Sequence, residues 1–290
     1  MMNNRLKSLG FLDENENHRP TVVSVISGKG GVGKSVLAFN LAAVMAYGGL
    51  KSLIIDCDWN FGDQHVLTNV IPELTLADIV RNENLTYEAT IHVKENLHLI
   101  ASPASDRSGV EFSRNRLARL LEEIRGWFGE YHFIILDTPS GNLDIIRPTS
   151  LVSDLNLIVI NPELTSIADG YGLFKFLMKS KNEIPACIFI NRVDCETDYE
   201  YVYQKFTLLA GRFLGRVPLD GGYLLDDRHI VDSVAKQKPV VEISSDSPAV
   251  RQLNRLCKIL TSLGPTADRR KELKNISSIN SKTALAEIRK

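Results

Sequence analysis

The sequence lacks long apolar runs, paired-cysteine spacing and an excess of either charge. No stretch approaches 18 uncharged apolar residues, so we expect no transmembrane helix. There are 34 Lys and Arg residues against 35 Asp and Glu residues, which argues against a globally basic nucleic-acid binder. The four cysteines show no C-x-x-C spacing, which argues against a zinc site or a disulfide framework and favours a reducing cytosol.

The two ends of the chain differ in composition from its middle. Residues 1–20 are polar and contain no apolar signal-peptide segment, so we expect a flexible lead and a cytoplasmic protein. No Pro- or Ser-rich linker interrupts residues 21–263, which we therefore predict to form one domain. Residues 264–290 form a basic, polar C-terminal tail, and no aromatic residue follows Tyr223.

Within residues 21–263, short apolar runs alternate with segments of helical periodicity. This alternation predicts an α/β fold, a single doubly wound domain with a mostly parallel sheet and helices on both faces. The predicted strands are 21–27, 53–55, 97–101, 131–136, 155–160, 186–190 and 213–217. The predicted helices between them are 35–47, 114–128, 166–178 and 201–210.

A glycine-rich segment joins the first predicted strand to the first predicted helix. Residues Gly28 to Ser35 fit the phosphate-loop pattern G-x-x-x-x-G-K-[ST] in the required strand–loop–helix context. Glycines let several backbone N–H groups turn towards phosphate oxygens. Lys34 is expected on the β- and γ-phosphates, and the Ser35 hydroxyl on Mg²⁺. The predicted nucleotide-binding residues of the loop are Gly28, Lys29, Gly30, Gly31, Val32, Gly33, Lys34 and Ser35.

Acidic residues end two of the predicted strands. Asp137 follows the apolar residues 133–136, which is the Walker B pattern for a carboxylate that holds Mg²⁺ directly or through water. Asp56 and Asp58 end the second strand, where the ligand crevice of an open α/β sheet lies. We therefore predict Ser35, Asp56 and Asp137 as the metal-site residues.

Lys29 is an additional lysine that a generic phosphate loop does not require. The segment K-G-G-V-G-K-S, residues 29–35, resembles the deviant Walker A motif of the MinD/ParA family of ATPases. This resemblance implies that Lys29 reaches the nucleotide phosphates, commonly across a dimer interface. It also implies that Asp58 orients the attacking water and that Asp56 supports the Mg²⁺ shell. The predicted catalytic residues are then Lys29, Lys34 and Asp58.

The same resemblance extends to the base of the nucleotide. Asn191 and Arg192 end the strand at 186–190, where family members use an asparagine and its neighbour to read the adenine edge. Pro218 matches the family's V/I-P-x-D turn and is expected to pack beside the base. The implied cofactors are ATP and Mg²⁺. The implied activity is a slow, partner-stimulated ATPase that forms an ATP-dependent homodimer.

Residues 161–171 resemble most closely the FlhG group, also called FleN, MinD-like ATPases that control flagellar number and placement. That resemblance implies a regulatory protein partner, either a flagellar GTPase or a transcription activator. Phe61-Gly62-Asp63 also resembles CpaE/TadZ pilus-assembly proteins, and ParA-like DNA partition is a further alternative. A nucleotide-bound scaffold or antiregulator with negligible turnover is another. The basic tail suits either a protein partner or peripheral contact with anionic lipid.

Overall fold

The computed structural model describes residues 19–59, 61–82, 86–103, 114–126, 130–179 and 184–263. Residues 1–18 of the predicted lead and the whole predicted tail, 264–290, lie outside the described residues. The boundaries predicted for these two segments therefore stay predictions.

Eight strands form one sheet in the order β3-β4-β2-β5-β1-β6-β7-β8. Seven strands run parallel, and β3 pairs antiparallel with β4 at one edge. The strands are β1 (Thr21–Ile26), β2 (Ser52–Asp56), β3 (Thr90–Lys94), β4 (Leu97–Ile100), β5 (Phe133–Asp137), β6 (Leu155–Ile160), β7 (Ala186–Val193) and β8 (Leu219–Leu225).

Helices follow most of the strands, as expected of parallel crossover units. The described helices are α1 (Lys34–Tyr47), α2 (Gln64–Leu67), α3 (Leu76–Arg81), α4 (Arg114–Arg125), α5 (Leu143–Val152), α6 (Leu164–Lys179), α7 (Glu196–Leu214), α8 (Arg228–Ala235), α9 (Val240–Ile243) and α10 (Pro248–Ser262). Among the described residues, no helix has both the length and the apolar character needed to cross a membrane.

The central strands are buried on both faces, which explains their uninterrupted apolar sequences. In β1, Val23 and Val25 pack in the core beneath α1 and α10. Val22 and Ile26 point to the opposite face, where they join two further apolar clusters beneath the other helices. The predicted fold class, a doubly wound α/β domain, is confirmed.

The predicted strand at 213–217 is wrong. Helix α7 continues to Leu214, and Gly215 then ends it in the left-handed conformation with φ 66°. The last strand is β8, which begins at Leu219. Its two consecutive glycines weaken the strand pattern, but Gly221 is needed because a Cβ there would lie 2.9 Å from the Ile188 carbonyl oxygen.

Strand β3 was not predicted, and neither were the C-terminal helices. Every residue of β3 is at least partly exposed, so the strand has no apolar run to reveal it. Helix α10 is strongly amphipathic and packs on α1 and β8 through residues such as Leu253 and Leu260. The predicted helix at 114–128 ends at Arg125.

Candidate nucleotide site

The loop between β1 and α1 forms an open turn of backbone at the carboxyl edge of the sheet. Gly31 and Gly33 adopt left-handed conformations with φ 76° and 89°, which glycine accepts without strain. Gly33 caps α1 with no side-chain hydrogen bond, and the first turn of that helix carries no acidic residue. The amide groups of the first turn are therefore available to an anion, which the positive end of the helix also favours.

Two glycines of this loop are required by close packing. A Cβ on Gly28 would lie 2.7 Å from the carbonyl oxygen of Asp169 in α6. A Cβ on Gly33 would lie 2.4 Å from the Asn191 amide nitrogen at the end of β7. The loop is thus held between α6 and β7, and its glycines give it shape as well as conformational freedom.

Lys34 points inward from the first residue of α1. Its side chain is buried, and its Nζ donates a hydrogen bond of 2.7 Å to Ser140 Oγ. Ser140 lies in the segment that follows β5, and the Ser27 hydroxyl also donates to it at 3.2 Å. The Lys34 ammonium has three N–H donors, and its hydrogen bond to the Ser140 hydroxyl uses one of them. The other N–H groups can donate to a second acceptor, such as a phosphate oxygen.

Asp56 and Asp137 face each other at the ends of neighbouring strands. They pair in register between β2 and β5, and both are buried. Burial raises the pKa of Asp137 to about 6, and Lys34 counteracts part of this rise. Burial and the nearby Asp137 raise the pKa of Asp56 well above its usual range. Two desolvated carboxylates side by side provide a strong attraction for a cation.

Gln64 connects this acidic pair to the phosphate loop. Its Nε2 donates to Asp137 Oδ2 at 2.8 Å and to the Ser35 carbonyl oxygen at 2.9 Å. Its backbone N–H donates to Asp56 Oδ2 at 3.1 Å. The Ser35 hydroxyl also lies near the neighbouring Asp63 and opposes the rise that burial causes in the pKa of Asp63. Gln64 and Asp63 therefore hold Asp56, Asp137 and Ser35 in one network.

Asp58 lies in the turn after β2. Its Oδ1 accepts a hydrogen bond of 3.1 Å from the backbone N–H of Phe61, and its own N–H donates to Asp56 Oδ1 at 3.1 Å. Its carbonyl oxygen accepts from Ser102 Oγ at 2.6 Å. The turn thus fixes a partly exposed carboxylate beside the buried acidic pair.

The residues present fit Mg²⁺ bound together with phosphate. The described part of the chain has no group of three or more His, Cys, Asp or Glu side chains that could hold a metal alone. Mg²⁺ commonly uses one or two carboxylates, substrate phosphates and water instead. Within the described residues, Asp137 Oδ1 is buried and has no hydrogen-bond partner, and the Ser35 hydroxyl lies beside this carboxylate. These two groups are suitable ligands for such an ion or its water.

Lys29 points away from its own loop. Its Nζ donates to Glu163 Oε2 at 2.5 Å and to Thr165 Oγ1 at 3.0 Å, both at the start of α6. Its side chain is 37% exposed. The two lysines of the loop therefore differ in environment, since Lys34 is buried under the turn and Lys29 lies on the outer surface.

Asn191 and Arg192 support the back of the loop. The Asn191 side chain donates to the Val32 carbonyl oxygen at 2.7 Å and accepts from the Arg192 N–H at 3.0 Å. The Arg192 guanidinium donates to the Gly31 carbonyl oxygen at 3.3 Å. Both side chains lie near the carboxyl end of β7, as predicted, and they stabilise the conformation of the phosphate loop. Their contact with adenine stays a prediction.

Comparison with known proteins identifies the family. A family model described as an AAA domain matches residues 20–186, more than half of the chain. The chain belongs to that family. Its relatives and structural neighbours make it a MinD/ParA-family P-loop ATPase similar to the FlhG group.

Three relatives illustrate this relationship. The antiactivator FleN of Pseudomonas aeruginosa is 25% identical over 232 residues, which cover 80% of this chain and 83% of FleN. The chain superposes with a TM-score of 0.72 on the septum site-determining protein MinD of Pyrococcus horikoshii, whose structure was solved with Mg-ADP. The two are 22% identical, and the match covers 84% of this chain and 97% of that MinD. A ParA family ATPase from Chlorobium tepidum superposes with a TM-score of 0.68 at 22% identity, and the match covers 82% of this chain and 98% of that ATPase.

In this MinD/ParA ATPase the structure does not place Pro218 near the predicted base site. Pro218 directly precedes Leu219, which pairs with Cys187 near the start of β7. Asn191 is next to Ile190, which pairs with Tyr223. About 16 Å of extended strand therefore separates Pro218 from the level of Asn191.

The prediction for Pro218 came from its match to the family's V/I-P-x-D turn, and the register of β8 shows that it is wrong. The predicted strand at 213–217, which is also wrong, agreed with that match. That strand would have put residue 218 at a carboxyl end, whereas the residue lies at the amino end of β8. Its carbonyl oxygen accepts a hydrogen bond of 3.2 Å from the Tyr203 hydroxyl. We assign Pro218 a structural role at the start of the last strand.

Several residues of the site were not found from the sequence. Gln64, Ser140, Glu163 and Thr165 contact the predicted residues through their side chains. Gln64 follows directly after the Phe61-Gly62-Asp63 segment, which was noted only as a resemblance to pilus-assembly proteins. No local sequence pattern reveals Gln64, because it contacts the predicted metal-site residues Asp56 and Asp137 only in the folded chain.

Proposed function

We propose that this protein is an ATP-driven dimerisation switch that controls the placement or number of a cell structure, with flagella as the favoured structure. The observation that carries the proposal is the position of Lys29. It lies on the outer surface of the phosphate loop, bonded to Glu163 and Thr165 rather than to the interior of the loop. From there an ammonium group can reach the nucleotide of a second subunit placed face to face.

Each subunit would bind ATP through the loop amides and Lys34. Ser35 and Asp137 would hold Mg²⁺, with Asp56 supporting them, and the ion would offset charge on the β- and γ-phosphates. Asp58 would orient the attacking water from the turn after β2. Lys29 of the facing subunit would stabilise the negative charge that develops on the γ-phosphate, as an arginine finger does. Hydrolysis would then remove the contact that holds the dimer together.

The partner of the dimer is a regulatory protein, either a flagellar GTPase or a transcription activator. The similarity to FleN, whose name describes an antiactivator, supports this choice. The same name supports a second candidate, a nucleotide-bound antiregulator that acts by binding its target with negligible turnover. Measured turnover with and without partner distinguishes the two candidates.

The segment that suggested a pilus-assembly protein has a local explanation. The Phe61 N–H donates to the Asp58 carboxylate, and Asp63 lies near the Ser35 hydroxyl. The segment therefore builds the nucleotide site and does not favour the pilus alternative.

We further propose a cytoplasmic protein, with peripheral contact at the inner face of the membrane as one role of the basic tail. The apolar residues of the tail are few, and 264–290 lies outside the described residues. A neutral or zwitterionic vesicle would then bind the protein weakly, whereas an anionic vesicle would attract its lysines and arginines.

The deciding experiment is the mass of the protein in solution with ADP and with a slowly hydrolysed ATP analogue, each with and without Mg²⁺. We expect a monomer with ADP and a dimer with the analogue and Mg²⁺. A monomer under all conditions would reject the switch and favour the antiregulator. A parallel sedimentation with anionic and zwitterionic vesicles tests the tail, and equal sedimentation with both would reject the proposed lipid contact.

A further inference from the structure

Helix α7 carries a stripe of exposed apolar and cationic side chains on the side that faces away from the sheet. Its inner side, which includes Val202 and Phe206, is buried against β6 and β7. On the outer side, Tyr201 is 58% exposed and Phe213 is 64% exposed. The helical repeat of about 3.6 residues places the exposed side chains between them in one band. We call this band the outer stripe, and its members are Tyr201, Lys205, Leu208, Leu209, Arg212 and Phe213. A contiguous exposed apolar patch with polar neighbours is typical of an interaction surface.

The outer stripe is cationic as well as apolar. The Lys205 Nζ lies 4.1 Å from the centre of the Tyr201 ring, and the Arg212 guanidinium carbon lies 5.5 Å from the centre of the Phe213 ring. Residues 201–216 contain no Asp or Glu. Within the described part of the chain, neither Lys205 nor Arg212 forms an ion pair. The stripe therefore suits an occupant that presents apolar and acidic side chains together.

The two ends of the chain lie outside the described residues, and their charges differ. The tail, residues 264–290, has seven Lys and Arg residues against three Asp and Glu residues, so its excess charge has the same sign as that of the stripe. It also follows α10, which packs with α1 on the other face of the sheet. The N-terminal lead instead combines apolar with acidic residues, in the order Leu6, Leu9, Phe11, Leu12, Asp13, Glu14 and Glu16. Apolar attraction and charge complementarity both favour the lead as the occupant.

An ion pair at the start of β1 directs the lead towards α7. The Arg19 guanidinium donates to the two carboxylate oxygens of Asp154, at 2.9 Å and 2.6 Å. Asp154 directly precedes β6, so this bidentate contact holds the end of the lead on the β6 side of β1. Helix α7 packs on β6 and β7 and runs against the direction of the strands, so Phe213 lies at the same amino edge of the sheet as Arg19.

The lead is long enough to cover the outer stripe. The outer side of α7 lies two strand spacings from β1, about 10 Å, and about 15 Å above the sheet. The direct distance is therefore about 18 Å, and residues 13–18 can span about 20 Å. The order of the side chains also matches. The acidic residues come first, at the level of Arg212, and the apolar residues follow at the level of Leu208 and Leu209.

We propose that residues 6–16 of the N-terminal lead dock on the outer stripe of α7 in the same subunit. The apolar residues of the lead pack on Leu208 and Leu209, and its acidic residues pair with Arg212. Because the lead is tethered at Arg19, its effective concentration at the stripe is high, so individually weak contacts are enough. The docking is independent of the proposed nucleotide chemistry, because the outer stripe contains no residue of the nucleotide site.

Site-specific photocrosslinking of the full chain tests this docking. A benzoylphenylalanine replaces Phe11, and mass spectrometry locates the crosslinks after irradiation at two protein concentrations that differ tenfold. We expect most crosslinks at residues 201–213 of the same chain, with a yield that does not depend on concentration because the contact lies within one subunit. The same photolabel in place of Leu273 in the tail is the control and should not crosslink to α7.

Two variants test the apolar contact. Leu208→Ser combined with Leu209→Ser should lower the crosslink yield at α7 about tenfold, because the apolar surface that the lead covers is lost. Ile71→Ser changes a side chain that is 94% exposed elsewhere on the protein and should have no effect. Both substituted leucines are exposed, and an unchanged urea midpoint shows that the fold is intact.

A charge reversal tests the ionic contact. Lys205→Glu combined with Arg212→Glu should lower the crosslink yield, because the stripe then repels the acidic part of the lead. Adding Asp13→Lys and Glu14→Lys to that variant should restore the yield, because opposite charges face each other again. A yield that stays low would contradict the pairing.

Three further results would overturn the proposal. One is the absence of crosslinks from position 11 to α7. Another is a yield that rises with protein concentration, which would show that the stripe binds a second copy of the chain. The third is an equal effect of the double leucine variant and Ile71→Ser.

Discussion

The Lys29 ammonium and the Glu163 carboxylate form an ion pair that joins the phosphate loop to the start of α6. The Lys29 Nζ donates to Glu163 Oε2, and this hydrogen bond and charge lower the pKa of Glu163. Both side chains are more than one third exposed, at 37% and 58%. An exposed pair is weakly stabilising because water and salt screen it, so Lys29 can exchange this partner for a phosphate at little cost.

The first prediction concerns this exchange. Lys29→Ala should abolish the dimer that forms with the ATP analogue and Mg²⁺, because the proposed contact across the interface is lost. Glu163→Gln should retain the dimer, since it only weakens the hold on Lys29 within one subunit. Light scattering measures both. Lys258→Ala, which removes an exposed lysine on α10, is the control, and normal dimerisation of Lys29→Ala would show that Lys29 is a local ligand only.

The second prediction concerns Lys34, the other lysine of the phosphate loop. Lys34→Met keeps the apolar stem but removes the ammonium that donates to Ser140. A hydrogen bond to a charged phosphate stabilises a complex by about 1.5–3 kcal/mol, so ATP should bind about 10- to 100-fold more weakly. Calorimetric titration of the monomer with ADP and with the ATP analogue measures this effect. Unchanged affinity for both nucleotides would show that Lys34 does not contact phosphate.

The third prediction concerns hydrolysis. Asp58→Asn keeps an oxygen that can accept the Phe61 N–H, so the turn should retain its shape. The neutral amide should orient the attacking water poorly, and turnover should fall about 10²- to 10⁴-fold. Phosphate release at saturating ATP measures turnover, and light scattering shows whether the dimer still forms. If turnover is unchanged while the dimer forms, another group holds the water.

The fourth prediction concerns Gln64. Gln64→Leu should leave Asp137 Oδ2 and the Ser35 carbonyl oxygen without their shared donor. Loss of a buried donor of this kind should lower the free energy of unfolding by about 1–3 kcal/mol, measured by urea denaturation without nucleotide. Gln204→Leu changes an exposed glutamine in α7 and should be close to neutral. Equal effects of the two substitutions would show that the Gln64 network adds nothing.

The fifth prediction compares two glycines of the phosphate loop. Gly28→Ala would place a Cβ 2.7 Å from the Asp169 carbonyl oxygen, whereas a Cβ at Gly30 would have no neighbour within 4 Å. Gly28→Ala should therefore lower the free energy of unfolding by about 1–3 kcal/mol, and Gly30→Ala should leave it nearly unchanged. Urea denaturation of both variants without nucleotide measures this. Equal stability of the two variants would contradict the close packing of the loop on α6.

The sequence alone determined the fold class, the phosphate loop and the acidic residues at the strand ends. These features are local, because a buried strand, a glycine-rich turn and a following helix are recorded in consecutive residues. Lys34, Asp56 and Asp137 could therefore be predicted to meet at one edge of the sheet. The family resemblance added Lys29 and Asp58, although their proposed roles need the experiments above.

Only the tertiary structure decided which residues connect these parts. Gln64 bridges β5 to the phosphate loop through hydrogen bonds between residues 29 and 73 positions apart, and no local pattern records such a contact. The error at Pro218 has the same origin, because the end of a strand on which a residue lies depends on the register of β8 against β7. The register of β8 against β7 shifts between Asp220 and Tyr223, where Gly221 and Gly222 lie, so the position of Pro218 along the sheet becomes visible only when the chain is folded.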